Sequence, residues 1–263
     1  MRKPVNKPQG KTGVVHLEPG RVTWEILAFP SSKQEREAFV GKLFTGSFDT
    51  YVHCESQPSL APFTNLIQND ENDLDFTVTT SAGIVLLELA EFAPLDRYGP
   101  TFKEAPRSFD PKDKALSVLS LIRQKSAHQG GARRILLIYN TEHAFVIDPI
   151  TVECVRRSLL SEPPRFERVY STSPEDALST FTSELYPGSP HWYFGNLNDQ
   201  QLMELNVSIP HPLDMRVGPS KSNWIGTTLI NGQLINARMS VDWSASSRNV
   251  SPIFSMSNVY VAG

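Results

Sequence analysis

Two carboxylates, Asp75 and Glu88, have the residue type and spacing to do chemistry together. Residues 75 to 79 and 84 to 92 are rich in β-branched, aromatic and aliphatic side chains, and Ser81-Ala82-Gly83 between them favours a turn, so the stretch predicts a β-hairpin. Because side chains alternate along a strand, Glu88 should lie in a row of apolar residues. A carboxylate in such a row is costly unless a cation, a metal ion or hydrogen-bond donors compensate its charge.

The chemistry that two such acids offer is the binding of a hard cation. Mg²⁺ takes oxygen ligands and commonly binds through only one or two carboxylates, with water and substrate phosphate completing its shell. Such an ion polarises a phosphoryl oxygen and lowers the pKa of bound water, while a nearby basic side chain stabilises the developing charge. Two simpler readings stay open. Local backbone hydrogen bonding explains Asp75, and a solvated edge strand or an ion pair with Arg133 or Arg134 explains Glu88.

The elements around the hairpin follow from hydrophobic periodicity. Ser32 and Glu35 form a capping-box pattern ahead of apolar residues at helical spacing, which predicts a helix over residues 33 to 45. Residues 113 to 128 repeat the helical spacing, and residues 134 to 139 form an apolar run typical of a central strand covered on both faces. We also predict strands over residues 48 to 55, 144 to 147 and 166 to 170, a bend or short helical turn over 58 to 66, and a helix over 151 to 160.

Beyond residue 170 the sequence predicts a helix and then a β-rich tail. Ser173 and Pro174 are followed by two acids, a combination that suits a helix N-terminus, so residues 173 to 186 are predicted to be helical. After Pro187 the chain has few charges and many Asn, Ser, Gly and Pro residues, which predicts strands and turns. Asn231-Gly232 between two short apolar segments predicts a tight hairpin turn.

Together these elements predict an α/β (α+β) fold in which helices flank a mixed β-sheet. The 263-residue length and the 40% hydrophobic content allow a sizeable core. Three regions are expected: a flexible N-terminal arm over residues 1 to 20, an α/β core over residues 21 to 187, and a β-rich C-terminal extension over residues 188 to 263.

The order of helix, strand, two acidic strands, helix and apolar strand over residues 33 to 140 resembles the core of the PD-(D/E)XK restriction-endonuclease-like superfamily. The resemblance implies a restriction-endonuclease-like fold and a Mg²⁺-dependent hydrolase that cleaves phosphodiester bonds in DNA. It also implies that Asp75 and Glu88, which match the motif Asp and Glu, bind the metal and take part in catalysis. The position of the motif Lys, two residues after Glu88, holds Ala90.

In some members of the superfamily the motif lysine has moved to a neighbouring element. Three residues near the end of the predicted second helix are candidates for that role: Arg123, Gln124 and Lys125. Of these we take Lys125 as the catalytic replacement. Members often carry a further acid before the motif Asp, and three acids are candidates here: Glu35, Glu37 and Glu55.

Composition and the remaining motifs narrow the function classes. The net charge of −3 and the pI near 6.1 argue against a protein that coats nucleic acid indiscriminately. Cys54 and Cys154 are too few for a disulfide framework or a CxxC zinc site, and they fit a reducing, cytoplasmic compartment. The sequence has no apolar run long enough to span a bilayer and no phosphate-cradling glycine motif, so we expect neither membrane association nor nucleotide hydrolysis.

Two function classes therefore stay open. The first is a metal-dependent endonuclease with Asp75, Glu88 and Lys125 in its site. The second is a catalytically inactive binding module with a nuclease-like fold, which the acidic pI and the absent motif Lys favour. The expected partner is nucleic acid, DNA in preference to RNA, and a protein partner or a homodimer is an alternative. Basic side chains gathered beside Asp75 and Glu88 would favour the enzyme, because phosphate must be attracted to the cleft that holds the metal.

Overall fold

A computed structural model describes residues 10–18, 21–50, 60, 62–69, 75–98, 108–127, 133–189, 194–204, 207–208, 221–230, 233–242 and 255–261. The helices are α1 (Lys33–Thr50), α2 (Leu95–Tyr98), α3 (Pro111–Ser126), α4 (Pro149–Ser161) and α5 (Asp199–Met203), with 3₁₀ turns at His143–Phe145 and Phe194–Asn196. The strands are β1 (Gly13–Glu18), β2 (Arg21–Ile26), β3 (Thr64–Gln68), β4 (Phe76–Thr80), β5 (Gly83–Glu91), β6 (Ser108–Phe109), β7 (Arg134–Tyr139), β8 (Arg168–Pro174), β9 (Thr180–Tyr186), β10 (Val207–Ser208), β11 (Lys221–Ile230), β12 (Gln233–Asp242) and β13 (Ser255–Val261).

The centre of the fold is a six-stranded mixed sheet in the order β3-β4-β5-β7-β8-β9. Strand β7 pairs in parallel with β5 and β8, whereas the outer pairs β3-β4, β4-β5 and β8-β9 are antiparallel. Every residue of β7 is buried, as its continuous apolar run predicts for a central strand. The predicted mixed sheet with flanking helices is therefore confirmed.

Helices cover both faces of this sheet. On one face Val118 and Ile122 of α3 and Val155 of α4 pack with Leu136 and Ile138 of β7. On the other face, the apolar side of α1 packs against the alternate residues of the same strands. The members of that second layer include Val40, Phe44, Val85, Leu87, Leu89, Leu137, Tyr139 and Tyr170. The predicted alternation along β5 thus holds, with Ala90 in the α3–α4 layer and its neighbour Leu89 in the α1 layer.

Helix α1 begins as the sequence predicts. The Ser32 hydroxyl donates to Glu35 Oε2 at 2.7 Å and accepts from the Glu35 backbone N–H at 3.2 Å, which satisfies groups that the first turn leaves unpaired. The helix extends to Thr50, so the strand predicted over 48 to 55 is wrong for its first three residues, and residues 51 to 55 lie outside the described residues. The buried Leu43 and Phe44 anchor this half of the helix on the sheet, which outweighs local strand propensity.

The predicted hairpin is confirmed. Strands β4 and β5 are antiparallel, and their last pair, Thr80 with Gly83, leaves a turn of Ser81 and Ala82. Gly83 adopts φ +105°, a conformation that glycine tolerates without strain. The Thr80 hydroxyl braces the turn by donating to the Gly83 carbonyl at 2.7 Å and accepting from the Ala82 N–H at 3.2 Å.

The helix predicted over residues 173 to 186 is wrong. Residues 173 and 174 end β8, and β9 returns antiparallel to it. The acids that suggested a helix N-terminus instead form a turn, in which the Asp176 carboxylate accepts from the Leu178 and Ser179 N–H groups at 2.6 and 2.7 Å. Thr180 and Thr182 of β9 are buried and hydrogen-bond the Thr172 hydroxyl of β8 at 2.6 and 2.9 Å, so cross-strand contacts decide the conformation.

Other predicted elements need smaller corrections. The predicted helices over 113 to 128 and 151 to 160 correspond to α3 and α4, and the strand predicted over 166 to 170 to β8. The strand predicted over 144 to 147 is wrong, because a 3₁₀ turn stands there whose first free N–H, at Ala144, is capped by the Glu142 carboxylate. The bend predicted over 58 to 66 overlaps β3, which pairs with the edge of β4.

The N-terminal region contains more strand than the sequence predicts. The C-terminal region is β-rich, as predicted. Residues 13 to 18, assigned to the flexible arm, form a strand paired with β2, because its backbone groups find partners there and in the core. In the C-terminal region β11, β12 and β13 form an antiparallel sheet, and Ile230 pairs with Gln233, while the predicted turn at 231 and 232 lies outside the described residues. Within the described residues, no helix is long and apolar enough to cross a membrane.

Candidate active site

Asp75 lies immediately before β4, at the point where β4 separates from β5. Its Oδ2 accepts a hydrogen bond from the Leu89 backbone N–H at 2.7 Å, and its carbonyl accepts from the Asn69 N–H at 3.0 Å. The Leu89 N–H faces the β4 side of β5 but lies beyond the end of the strand pairing, which stops at Phe76 with Leu87. The Asp75 carboxylate thus takes the donor that the ladder leaves unpaired, which fixes the side chain beside β5.

Glu88 lies at the middle of β5 with only 3% of its surface exposed. Its Oε1 is 3.0 Å from Lys125 Nζ, and Lys125, from the last turn of α3, keeps 23% of its side chain exposed. Alternation places Glu88 on the face covered by α3 and α4, so the last turn of α3 can bring a cation to it. The ion pair provides the compensation that a carboxylate in an apolar row requires.

Glu37 is a third acid near this pair. It comes from the second turn of α1, is 5% exposed, and has its Oε1 3.5 Å from Lys33 Nζ. Burial, and secondly the charge of Asp75, raise the pKa of Glu37 from 4.5 to about 7, while Lys33 and Lys125 act in the opposite direction. The charges of Asp75 and Lys125 thus both act on Glu37, although α1 and α3 pack on opposite faces of the sheet.

The structure separates the remaining sequence candidates from this cluster. Arg123 forms an exposed ion pair with Glu162 at 2.8 Å, so it does not replace the motif Lys. Glu35 is exposed and caps α1, whereas Glu37 on the same helix is buried near Asp75. Glu55 lies outside the described residues, and Gln124 is exposed.

Glu88 pairs with Lys125, which is not one of the arginines considered for it in the sequence. Arg133 forms a bidentate ion pair with Glu167 and donates to the Ala82 carbonyl, and the Glu167 carboxylate raises its pKa. The Arg134 guanidinium stacks 4.8 Å from the centre of the Phe166 ring.

Asp75 and Glu88 both present carboxylate oxygens beside β5, and Mg²⁺ in proteins commonly binds through one or two such groups. Among the described residues, no group of three or more His, Cys, Asp and Glu side chains is arranged to hold a metal ion, so a third carboxylate does not complete a preformed cage. A magnesium site here would rely on water and substrate oxygens.

Sequence reasoning left two features of this cluster unassigned. Of the candidate acids Glu35 and Glu37, only Glu37 is buried. Helical spacing could have predicted this, because Glu37 lies three and seven residues before Val40 and Phe44, which are core residues of α1. Lys33, one turn earlier on α1, is exposed, and its ammonium is 3.5 Å from the Glu37 carboxylate. Cys154 is not part of the cluster, and burial raises the pKa of its thiol to about 12, in keeping with an unreactive side chain.

Comparison with known proteins found no family model, no curated protein and no solved structure that matches this chain.

Proposed function

We propose that this chain is a divergent member of the PD-(D/E)XK superfamily, a Mg²⁺-dependent nuclease that hydrolyses phosphodiester bonds in DNA. The observation that carries the proposal is the 3.0 Å ion pair between Lys125 Nζ and Glu88 Oε1. It supplies from α3 the lysine that the resemblance requires and that Ala90 does not provide. The 2.7 Å hydrogen bond from the Leu89 N–H to Asp75 Oδ2 supports the role of Asp75, because it fixes this carboxylate beside β5.

Each side chain has a role that its surroundings support. Asp75 and Glu88 would hold Mg²⁺, which polarises the scissile phosphate and acidifies bound water. Lys125 keeps part of its side chain exposed, so its ammonium can approach a phosphate oxygen and stabilise the charge that develops as water adds to phosphorus and the P–O ester bond breaks. The exposed ammonium of Lys33, which pairs with Glu37, adds positive charge that attracts phosphate.

Glu37 belongs to the same site as a group that shares its electrostatics. With a pKa of about 7 it is partly protonated at neutral pH, so the cluster does not carry three full negative charges when no cation is present. The lysines on both sides of the sheet further reduce repulsion between the acids. These features lower the cost of keeping an acidic centre near the core.

A second candidate function is an inactive binding module with the same fold. It is favoured by the structural use of two contacts. The ion pair between Glu88 and Lys125 joins α3 to β5, and the hydrogen bond from the Leu89 N–H to Asp75 closes the end of β4. Under this alternative Asp75, Glu88 and Lys125 stabilise the fold without taking part in hydrolysis, and the acidic pI of 6.1 disfavours nonspecific DNA binding.

Incubation of the purified protein with single- and double-stranded DNA and with RNA, in Mg²⁺, Mn²⁺ or EDTA, tests the proposal. We expect cleavage of DNA that depends on either metal and stops in EDTA. Asp75→Ala and Glu88→Ala should abolish it, and Lys125→Ala should lower it by about 10²-fold, the usual effect of removing one charge-stabilising group. Circular dichroism should show folded variants.

Matched controls are exposed residues of α3 and of the C-cap of α4. Lys112→Ala removes an exposed lysine from α3, and Glu162→Gln removes an exposed acid that pairs with Arg123; both should cleave like the parent protein. Absence of cleavage of every substrate with either metal would overturn the nuclease proposal and support the binding module.

A further inference from the structure

A second contact between α1 and β5 lies next to the candidate site. Arg36 Nη2 is 3.9 Å from Glu91 Oε2, and each side chain is only 13% exposed. The Thr141 hydroxyl, just after β7, donates to the other oxygen of Glu91 at 2.7 Å. A guanidinium of α1 is therefore linked through one carboxylate to the ends of two central strands.

This linkage is placed where it can set the geometry of the site. Arg36 is the neighbour of Glu37 in α1, and Glu91 lies one residue beyond Ala90 on the strand that carries Glu88. Side-chain alternation directs Glu91 to the α1 face and Glu88 to the α3 face. Fixing Arg36 on Glu91 therefore fixes the helical turn of Glu37 relative to both strand acids.

Tyr139 is 1% exposed at the end of β7, in the layer that α1 covers. Burial raises its pKa, as do the charges of Glu91 and Glu37, while Arg36 lowers it. The charges of Arg36, Glu37 and Glu91 thus all act on this buried side chain. The region is poorly exposed to water, so an ion pair there is screened less than a surface pair and holds its partners more firmly.

We infer that Arg36 is a positioning residue that acts through Glu91 and Thr141 to hold Glu37 in place on the side of α1 that faces the sheet. The inference rests on the proposed nuclease function. Arg36 itself does not touch substrate in this assignment, because its guanidinium is directed at Glu91 in the interior. Its loss should therefore affect the rate of the bound complex and leave DNA affinity unchanged, because a displaced Glu37 changes the electrostatics around Asp75 and Lys125.

The test is steady-state cleavage of DNA in Mg²⁺ by the parent protein and by Arg36→Gln, Arg36→Lys, Glu91→Gln and the double variant Arg36→Gln/Glu91→Gln. We expect Arg36→Gln to lower kcat by at least about tenfold with KM within about twofold. Arg36→Lys should recover most of the rate. Glu91→Gln should resemble Arg36→Gln, and the double variant should be no worse than either, because both changes break one interaction.

The other outcomes distinguish failure of the positioning role of Arg36 from failure of the nuclease proposal. A parent protein that cleaves, with an Arg36→Gln variant of unchanged kcat, overturns the positioning role and leaves the nuclease proposal intact. A raised KM with normal kcat overturns it in favour of a substrate contact, and multiplicative losses in the double variant overturn the link through Glu91. A parent protein without cleavage overturns both proposals. Unfolding in urea identifies a variant that has lost its fold. If Arg36→Gln is such a variant, the kcat of Glu91→Gln relative to the parent protein decides the positioning role.

Discussion

Helix α3 carries two lysines that each pair with an acid, and the two pairs are built differently. Lys114 is fully buried, and its ammonium donates to the Val146 carbonyl at 2.7 Å and contacts Asp148 Oδ2 at 3.3 Å. Lys125 is partly exposed and contacts Glu88 at 3.0 Å. The spacing along the helix places both lysines on nearly the same face, so the difference comes from what they meet.

The acids differ in what else they do. Asp148 caps α4, since its carboxylate accepts from the Ile150 and Thr151 N–H groups at 3.1 and 2.9 Å and from the Thr151 hydroxyl at 2.7 Å. Burial lowers the pKa of Lys114, and the Asp148 charge opposes that shift. Every oxygen of Asp148 serves the fold. Glu88 pairs instead with a lysine that is partly exposed, so this cation is accessible from solvent. Two ion pairs of the same residue types on one helix thus differ in their access to solvent and in their neighbours.

The largest effect is expected at the structural pair. Lys114→Met should lower the free energy of unfolding by about 3–5 kcal/mol, because it leaves the carboxylate of Asp148 buried without its cation. Urea denaturation measures this. Lys112→Met, an exposed position of the same helix, should change it by less than about 0.5 kcal/mol. A Lys114→Met variant as stable as the parent protein would show that the pair is not structural.

The site pair should give the opposite result. In Lys125→Met/Glu88→Gln both charges are removed, so the free energy of unfolding should stay within about 1 kcal/mol of the parent value or rise. DNA cleavage should fall by at least about 10²-fold, which is about 2.7 kcal/mol of transition-state stabilisation. The free energy of unfolding and the cleavage rate together distinguish a catalytic ion pair from one that only stabilises the fold. A variant that loses stability and keeps cleavage would reverse the assignment.

Glu37 gives a pH dependence with a defined sign. Its folded-state pKa is raised from 4.5 to about 7, so its contribution to stability is fully present below pH 4.5 and is lost as the pH rises to about 7. Relative to Glu37→Gln, the parent protein should lose on the order of 2 kcal/mol across that range. Unfolding in EDTA over pH 4 to 8 checks it, and parallel curves for the two proteins would contradict the shift.

The smallest expected effect is a change in the pKa of Glu37, which tests whether Lys125 or Lys114 acts on this carboxyl. Lys125 lowers the pKa of Glu37, so Lys125→Met should raise that pKa further, whereas Asp75→Asn should lower it. Lys114 is not among the groups that shift it, and Lys114→Gln should leave it unchanged. Carboxyl carbon chemical shifts followed with pH would measure all three. An equal response to Lys114→Gln and Lys125→Met would contradict the separation of the two pairs.

Local pattern predicted much of the framework. The hairpin of β4 and β5, the first turn of α1, the helices α3 and α4 and the buried strand β7 follow from turn residues, capping residues and apolar periodicity, all of which act over a few neighbouring positions. The segment from Ser173 to Tyr186 shows where such reasoning fails. Its N-cap residues are compatible with a helix and with a turn, and the buried Thr172, Thr180 and Thr182 hydroxyls of adjacent strands decided between them.

For the candidate site, the sequence by itself determined the two acids of the hairpin, the absence of a lysine at Ala90 and a short set of replacements that included Lys125. Only the tertiary structure decided that Lys125 and not Arg123 meets Glu88, that Glu37 and not Glu35 lies near Asp75, and that Arg36 joins Glu91. The reason is physical. Spacing along the chain fixes the face of an element, whereas the approach of α1 and α3 to opposite sides of one sheet depends on long-range packing of residues that are far apart in sequence.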